Sequence, residues 1–491
     1  MPSFEKVDLH AIARDAMVRY GFLPQFPQRV IEEVSAFNEE EILTHRRKEA
    51  KDLRLLLWSS IDNSDSLDLD QIEYCERGFN QEILVKVAIA DVDLFVAKNS
   101  QADGYASHNG ASVYTGIETF PMLPNKLSHG FTSLRPGSDH LAVVVEFAVL
   151  KDGNVRRGDV YRAIVANKAQ LVYEEIGDWL EGKAALPETA SQVPGLEAQL
   201  RLQHAAAERL KDFRMARGAL ELESIEVKPI IQEETVTGLF VPRENPARYI
   251  IENFMIAANG TVMEFLGKAG FPIIQRIVRI PKNWEGIREV ALELGENLPF
   301  HPDSKPLSKF LLKRKAVDPV HFPDLSLTVI KLLGPGEYTM LEPGKPPIGH
   351  FGLAVMDYTH STAPNRRFVD VIIQRLVKAV LDKSLVPYSR KELIEHAAWC
   401  TDRDKAAKKV ERFMQKVAAA ILLDGRIGEV FEAIVTGASE KGTYVRLMDP
   451  PVEGRVVRGF ERMCVGDTVR VRLSDLDPYL GHIDFERVKA R

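Results

Sequence analysis

The spacing of hydrophobic residues changes character several times along this chain of 491 residues. VDLHAIARDAMVRYGF, at 7–22, places apolar residues at helical intervals until Pro24 and Pro27 interrupt, and PQRVIEEVSAFNEEEIL resumes the pattern. Residues 1–45 therefore predict two or three short helices, either a helix-turn-helix-like unit or a plain helical cap on the next domain. From about 53 to 167 the texture is that of strands. LRLLLWSSID, EILVKVAIADVDLFVA and LAVVVEFAVLKDGNV are β-rich runs separated by Asn, Asp and Gly. Helical spacing returns at 170–182, 196–217 and 246–268, the last opening on Asn245 as cap and Pro246 in the first turn. A further helical block covers about 366–422. Beyond Gly425 about five short strands alternate with glycine turns, the size and rhythm of a small OB-type barrel. The pattern predicts a multidomain α+β chain with a helical region at 1–45, a large domain at 46–422 and a barrel at 425–491.

Composition narrows the class. With 45% hydrophobic and 27% charged residues the chain is ordinary globular material with enough apolar surface for a core. No apolar run approaches the ~20 residues needed to span a bilayer. The N-terminus also lacks the basic-then-apolar pattern of a secretory signal, so no membrane association is expected. Three cysteines (Cys75, Cys400, Cys464) without CxxC spacing argue against a disulfide framework or a cysteine-rich zinc site and for a reducing, cytoplasmic setting. The net charge of −6 does not announce a nucleic-acid partner, nor does it exclude one, because binding depends on local potential. LLKRKAV at 311–317 and KAAKKVERFMQK at 405–416 are local basic runs that also read as solvated helix faces. No GxxxxGK[ST] loop is present, so no nucleotide cofactor is expected.

The chemistry is concentrated in SIDNSDSLDLDQI, at 60–72, which puts Asp62, Asp65, Asp68 and Asp70 within nine residues. In an extended segment Asp68 and Asp70 face one side, while Leu67 and Leu69 anchor the other. Carboxylates this dense repel, by about 4 kcal/mol for two charges ~4 Å apart at an effective dielectric of 20. They must take up protons or recruit a cation. All-oxygen ligands favour Mg²⁺, with Mn²⁺ as a substitute, when phosphate completes the shell. A solvated acidic turn is the plain alternative. A calcium loop of EF-hand type is excluded by Leu67, where that loop requires glycine.

These residues stand within a longer series of ordered blocks. VAIAD at 87–91, Tyr114, PMLPNKLS at 121–128, SLRPG at 133–137, NKAQLVYEEIGDWL at 167–180 and RGALELES at 217–224 come first. IIENFMIAAN at 250–259, HFGL at 350–353 and YTHSTAPNRRFVD at 358–370 come after them. Together they resemble the catalytic (RNB) domain of the RNase II and RNase R family, over roughly residues 52–385. The terminal segment resembles the RNA-binding OB fold of the ribosomal S-one type at Gly442, Tyr444 and Val445, at Val465-Gly466-Asp467 and at Ile483-Asp484-Phe485. The resemblance implies a mixed sheet surrounded by helices and a 3′-to-5′ hydrolytic exoribonuclease that consumes single-stranded RNA with a free 3′ end and releases nucleoside 5′-monophosphates. It further implies that Asp62, Asp68 and Asp70 bind catalytic Mg²⁺ and that Asp68, Asp70 and Arg366 carry the chemistry. Tyr114 would stack on the terminal nucleotide, Tyr173 and Glu252 would contact the ribose, and Arg366 would neutralise the scissile phosphate. Tyr444 and Phe460 on the barrel could stack on bases, although the barrel as a whole is not basic, with 11 Lys+Arg against 11 Asp+Glu in residues 425–491. A monomer is expected.

The departures are equally specific. Gln71 stands where the family carries a fourth aspartate; its amide oxygen can ligate a metal, but one negative charge is lost. Leu222 stands where an aromatic usually faces the tyrosine, and Asn253 replaces a second glutamate. The chain before residue 52 is too short for the two N-terminal cold-shock domains of larger relatives, which leads to the expectation of a more open RNA entrance. Two rival readings remain: a catalytically weakened RNA-binding member of the same fold, and a metal-dependent DNA nuclease or other phosphoesterase.

Overall fold

The structure is a computed structural model that describes residues 7–38, 49–223, 227–232, 235–241, 243–439 and 442–488. Its centre is a mixed sheet of seven strands among the described residues. In chain order these are β1 (Lys51–Asp52), β2 (Trp58–Asp62), β3 (Gln71–Arg77), β4 (Ile83–Ala90), β5 (His140–Val149), β6 (Val155–Val165) and β7 (Asn167–Val172). Their order across the sheet is β1-β6-β5-β4-β3-β2-β7. The outermost pairs, β1 with β6 and β2 with β7, are parallel, and the others antiparallel. The runs ILVKVAIA and HLAVVVEFAV are nearly continuous in hydrophobicity because central strands covered on both faces have no solvent side to alternate with.

Helices cover this sheet. α1 (Leu9–Arg19) and α2 (Gln28–Ser35) come first, followed within the large domain by α3 (Tyr173–Leu180), α4 (Leu196–Ala216), α5 (Pro246–Lys268), α6 (Phe368–Leu381) and α7 (Arg390–Leu422). α5 begins where the sequence places it, with Asn245 accepting the N–H of Arg248 and Pro246 in the first turn. Its Phe254 meets Phe147 of β5 edge-on at 6.2 Å. Both residues belong to the principal core. α4 lies across β3, where the Gln199 amide accepts from the Cys75 N–H (2.9 Å) and donates to its carbonyl (2.6 Å). α1 caps the large domain: Ala13, Ala16 and Met17 share a buried cluster with Val410, Met414 and Val417 of α7.

The C-terminal segment closes into a barrel of five strands: β8 (Val430–Ser439), β9 (Gly442–Leu447), β10 (Glu453–Arg458), β11 (Thr468–Asp477) and β12 (His482–Arg487). Tyr444 lies on β9 opposite Arg455 of β10. The barrel is tied to the large domain at Arg446, whose guanidinium donates two bonds, at 2.7 and 3.0 Å, to the buried carboxylate of Asp324 in the 322–333 helix.

Several elements differ from the sequence pattern. The helix expected over 170–182 begins only at Tyr173, because NKAQLV alternates buried and half-buried positions and pairs with β2. VDLFVA leaves the sheet after Ala90 in a short 3-10 turn at Val92–Leu94, and a helix comes next at Gln101–Asn109. Unanticipated elements are the hairpin Lys228–Gln232 and Thr235–Phe240 and the helices Trp284–Glu293 and Phe322–Leu333, whereas the basic run at 311–317 does lie on a helix, Ser304–Val317. Among the described residues no helix is long and apolar enough to cross a membrane.

Candidate active site

The acidic segment is held by one of its two leucines and by hydrogen bonds from a neighbouring segment. Asp62 ends β2, residues 63–70 form an irregular loop, and Gln71 opens β3. Leu69 is buried as expected, but Leu67 is 49% exposed, so only one of the two leucines anchors the loop. The SLRPG segment supplies the rest. Ser133 Oγ accepts the Leu69 N–H (3.0 Å) and donates to the Leu67 carbonyl (2.7 Å), and the Leu134 N–H donates to the Leu69 carbonyl (3.0 Å). The loop thus gains the hydrogen bonds that a strand would have received from a ladder.

This placement turns Asp70 inward, where it is buried. One of its carboxylate oxygens accepts the Asn365 N–H at 2.8 Å, and the other lies 3.5 Å from Arg366 Nε. Asn365 is itself fixed, because its amide donates to the Thr132 carbonyl at 3.0 Å. Burial pushes the Asp70 carboxyl up to about 8, opposed by the Arg366 guanidinium and reinforced by the charge of Asp68. Asp62 is also raised, chiefly by burial, although the Asn63 N–H bonds its carboxylate. Asp68 is half-buried and accepts the Tyr114 hydroxyl at 3.2 Å. Tyr114 belongs to a short hairpin, Val113–Tyr114 with Thr119–Phe120; the residue is 42% exposed while its hydroxyl is turned toward Asp68. Burial and the Asp68 charge hold that hydroxyl protonated.

Tyr173 is buried behind Asp62, with its phenol raised by burial and by the charges of Asp62 and Glu73. The Arg248 guanidinium lies 4.4 Å from its ring centroid and bonds Asn63 (3.3 Å) and Glu174 (2.8 Å). Glu73 is fully buried next to Asp62, neither of its oxygens has a hydrogen-bond partner, and burial raises its carboxyl well above the usual range.

Asp62, Asp68, Asp70, Tyr114, Tyr173 and Arg366 therefore come together from widely separated stretches of chain. Glu252 sits on α5, one turn beyond Arg248, with its carboxylate 3.2 Å from Arg214. Gln71 is half-buried at the start of β3, paired with Ile89. Asp65 is exposed, and Tyr444 stands apart on the barrel. Leu222 lines a small cavity together with Tyr249, Glu252 and Asn253. Sequence reasoning missed Asn365, Arg248 and Glu73. Asn365 lay inside one of the ordered blocks, and Arg248 lay just past a helix cap. Glu73 gave no signal, since a strand glutamate is ordinarily exposed.

The site suits a hard cation only in part by itself. Its donors are all oxygen, and desolvated carboxylates with raised affinity for protons are what a divalent ion would relieve. Yet among the described residues no three His, Cys, Asp or Glu side chains converge on one metal position. Asp68 lies close enough for its charge to act on Asp70, and Mg²⁺ is commonly held by one or two carboxylates with a substrate phosphate completing its shell.

Carboxylates beside a guanidinium, in a chain that ends in an OB-type barrel, fit a phosphodiester-handling protein. Comparisons with known proteins make the class specific. Residues 50–383 match the RNB domain, and residues 429–488 match the RNase II-type exonuclease C-terminal S1 domain. Ribonuclease R of Thermotoga maritima is 30% identical over 506 residues, covering 95% of this chain and 68% of that protein. Ribonuclease R of Aquifex aeolicus is 30% identical, covering 97% and 70%. Among solved structures, the apo form of Mycoplasma genitalium RNase R superposes with a TM-score of 0.86 at 22% identity, over 98% of this chain and 78% of that one. The chain belongs to the RNase II/RNase R family of RNB-domain exoribonucleases. Nucleases of this family are metal-dependent hydrolases.

Proposed function

We propose that this chain shortens single-stranded RNA from a free 3′ end by hydrolysis, working as a monomer in the cytoplasm and releasing nucleoside 5′-monophosphates. One observation carries the reading: Asp68 and Asp70, Tyr114 and Arg366 come from three distant segments to one point, with an exposed aromatic face on one side and a half-exposed cation on the other.

The open ring of Tyr114 receives the terminal base by stacking, worth ~1–3 kcal/mol per base in general. Its hydroxyl, tied to Asp68, fixes the ring plane. Arg366 stands where charge accumulates on the scissile phosphate; a guanidinium remains cationic there and matches phosphate oxygens. Asn365 and Arg366 together orient the Asp70 carboxylate. Tyr173 and Glu252 flank the ribose, where a 2′-hydroxyl that both donates and accepts distinguishes RNA from DNA. Asp62, Asp68 and Asp70, with the Gln71 amide as a neutral fourth donor, would hold Mg²⁺ or Mn²⁺, which supplies an acidified water and charge stabilisation at phosphorus. Tyr444 on the barrel offers an upstream stacking surface. Because RNA is held largely through phosphates, binding should weaken as salt rises.

The test is a 5′-labelled single-stranded RNA incubated with the pure protein in Mg²⁺ or EDTA, beside Asp70→Asn. A shortening ladder that requires Mg²⁺ and vanishes in the variant is expected. RNA that is bound but stays intact would instead favour the catalytically weakened reading, with Gln71 the first residue to restore to aspartate.

A further inference from the structure

Two cavities lie one after the other along α5. At its N-terminal end Arg248 reaches Asn63, beside the acidic loop. One turn further, a small cavity of about 110 Å³ is lined by Leu222, Tyr249, Glu252 and Asn253. Beyond it Ile256, Ala257 and Gly260 border a larger cavity of about 650 Å³. Arg214 and Asn253 line both. The Arg214 guanidinium donates to Asn253 Oδ1 at 2.8 and 3.2 Å and stands as the partition between the two.

We propose that the larger cavity is the exit site for the released nucleoside 5′-monophosphate; the inference rests on the exoribonuclease reading. In the hydrolysis the oxygen of water bonds to phosphorus, the bond from phosphorus to the 3′ oxygen of the preceding nucleotide breaks, and that oxygen takes a proton. The shortened RNA keeps the way in. The product lies ahead of it, carrying close to two negative charges on its 5′-phosphate near neutral pH. Repeated cleavage without withdrawal of the RNA needs a second opening, in front of the product and able to take an anion and a base.

The larger cavity has both properties. Arg157, on one wall, is matched by Glu264 (3.0 Å) and Asp357 (2.9 Å) and is committed to them. Arg217 lies over the Phe213 ring at 5.1 Å and has no ion pair among the described residues. Arg214 is paired with one carboxylate, Glu252 at 3.2 Å, and the Asn253 amide beside it adds no charge. The Arg217 guanidinium, without a carboxylate partner among the described residues, thus supplies positive charge along the wall, and the Arg214 fork stands at the partition, a pair suited to a phosphate. Ile280 and Met356, 67% and 62% exposed, give the cavity an apolar side open to solvent, suited to a base that must leave. Its volume lies within the ~300–1,000 Å³ common for small-molecule sites.

The test uses the full chain, with AMP as the probe. Equilibrium dialysis of AMP should show binding weakened about tenfold in both Arg217→Glu and Met356→Trp. Both side chains are exposed, so the variants should melt as the parent does. In rapid-quench experiments on 5′-labelled RNA, Met356→Trp should make its first cut within about twofold of the parent rate and its later cuts about tenfold more slowly, as expected when product release limits turnover. AMP binding unchanged in both variants, or later cuts at parental speed, would overturn the exit site while leaving the exoribonuclease reading intact. A parent that cuts no RNA would instead sink that reading, and the exit site with it.

Discussion

Asp70 concentrates the electrostatic cost of the site. Its carboxyl is buried beside Asp68 and raised to about 8. A carboxyl whose folded value lies above its unfolded value favours folding while protonated. That contribution is complete below about 4 and is lost as pH rises through about 8. In EDTA the protein should therefore lose stability between pH 5 and 8, and Asp70→Asn should flatten this slope and raise Tm at pH 8 more than at pH 5. Thermal melts at the two pH values check it; a parent whose Tm is the same at both would remove Asp70 as the strained group. At Arg366 the charge alone is not the point. Arg366→Lys keeps the cation but loses the planar fork, and kcat should fall about 10²-fold or more with little change in melting. Single-turnover rates on a short RNA would show whether the loss lies in the chemical step.

At the scale of elements, the exposed Tyr114 depends on apolar packing well away from it. Val113 and Phe120 of its hairpin are buried in the same cluster as Met17 of α1 and Val410 of α7, and the Tyr114 N–H donates to Glu411 of α7 at 3.3 Å. α1 and α7 thus grip the hairpin that presents the ring. Met17→Ala should cost about 2–4 kcal/mol. Well below its Tm, the variant should raise KM for RNA severalfold while kcat changes less, because the ring is loosened and the acids are untouched. Equal falls in kcat and kcat/KM, with KM constant, would place the effect on the acids instead. The five strands of the barrel were readable because glycine turns and alternation mark short strands. The strand at 167–172 was not, since it is parallel to β2 and owes its conformation to that partner more than to its own propensity.

Across the whole molecule, the barrel is held to the large domain by a buried charge pair as well as by apolar packing on Ala419, Ala420 and Leu423. Asp324 is buried, and Arg446 fills its two oxygens. Removing one partner of such a pair typically costs ~3–5 kcal/mol, because the other is left buried and uncompensated. Asp324→Ala should loosen the barrel: affinity for a ~30-nucleotide RNA should fall, cleavage of a very short RNA should persist, and proteolysis near residues 423–429 should speed up. Undiminished affinity for the long RNA would show that the barrel's position does not matter to binding.

The sequence by itself picked out the candidate residues and the family to which their ordered blocks belong. The Asp62, Asp68 and Asp70 spacing, the ordered blocks and the five-strand rhythm of the terminal barrel are all local patterns, and local patterns survive in one dimension. What it could not decide was which residues supply the surroundings. Leu67 looked like an anchor by alternation, but Ser133, 66 residues away, holds the loop instead and leaves that leucine in solvent. Asn365 and Glu73 acquire their meaning only from the burial and contacts around Asp70 and Asp62. The partition at Arg214 exists only because α4 crosses α5 there. Desolvation, which sets the charge state of the acids, is a property of everything packed around a group, and only the tertiary structure brings that surrounding together.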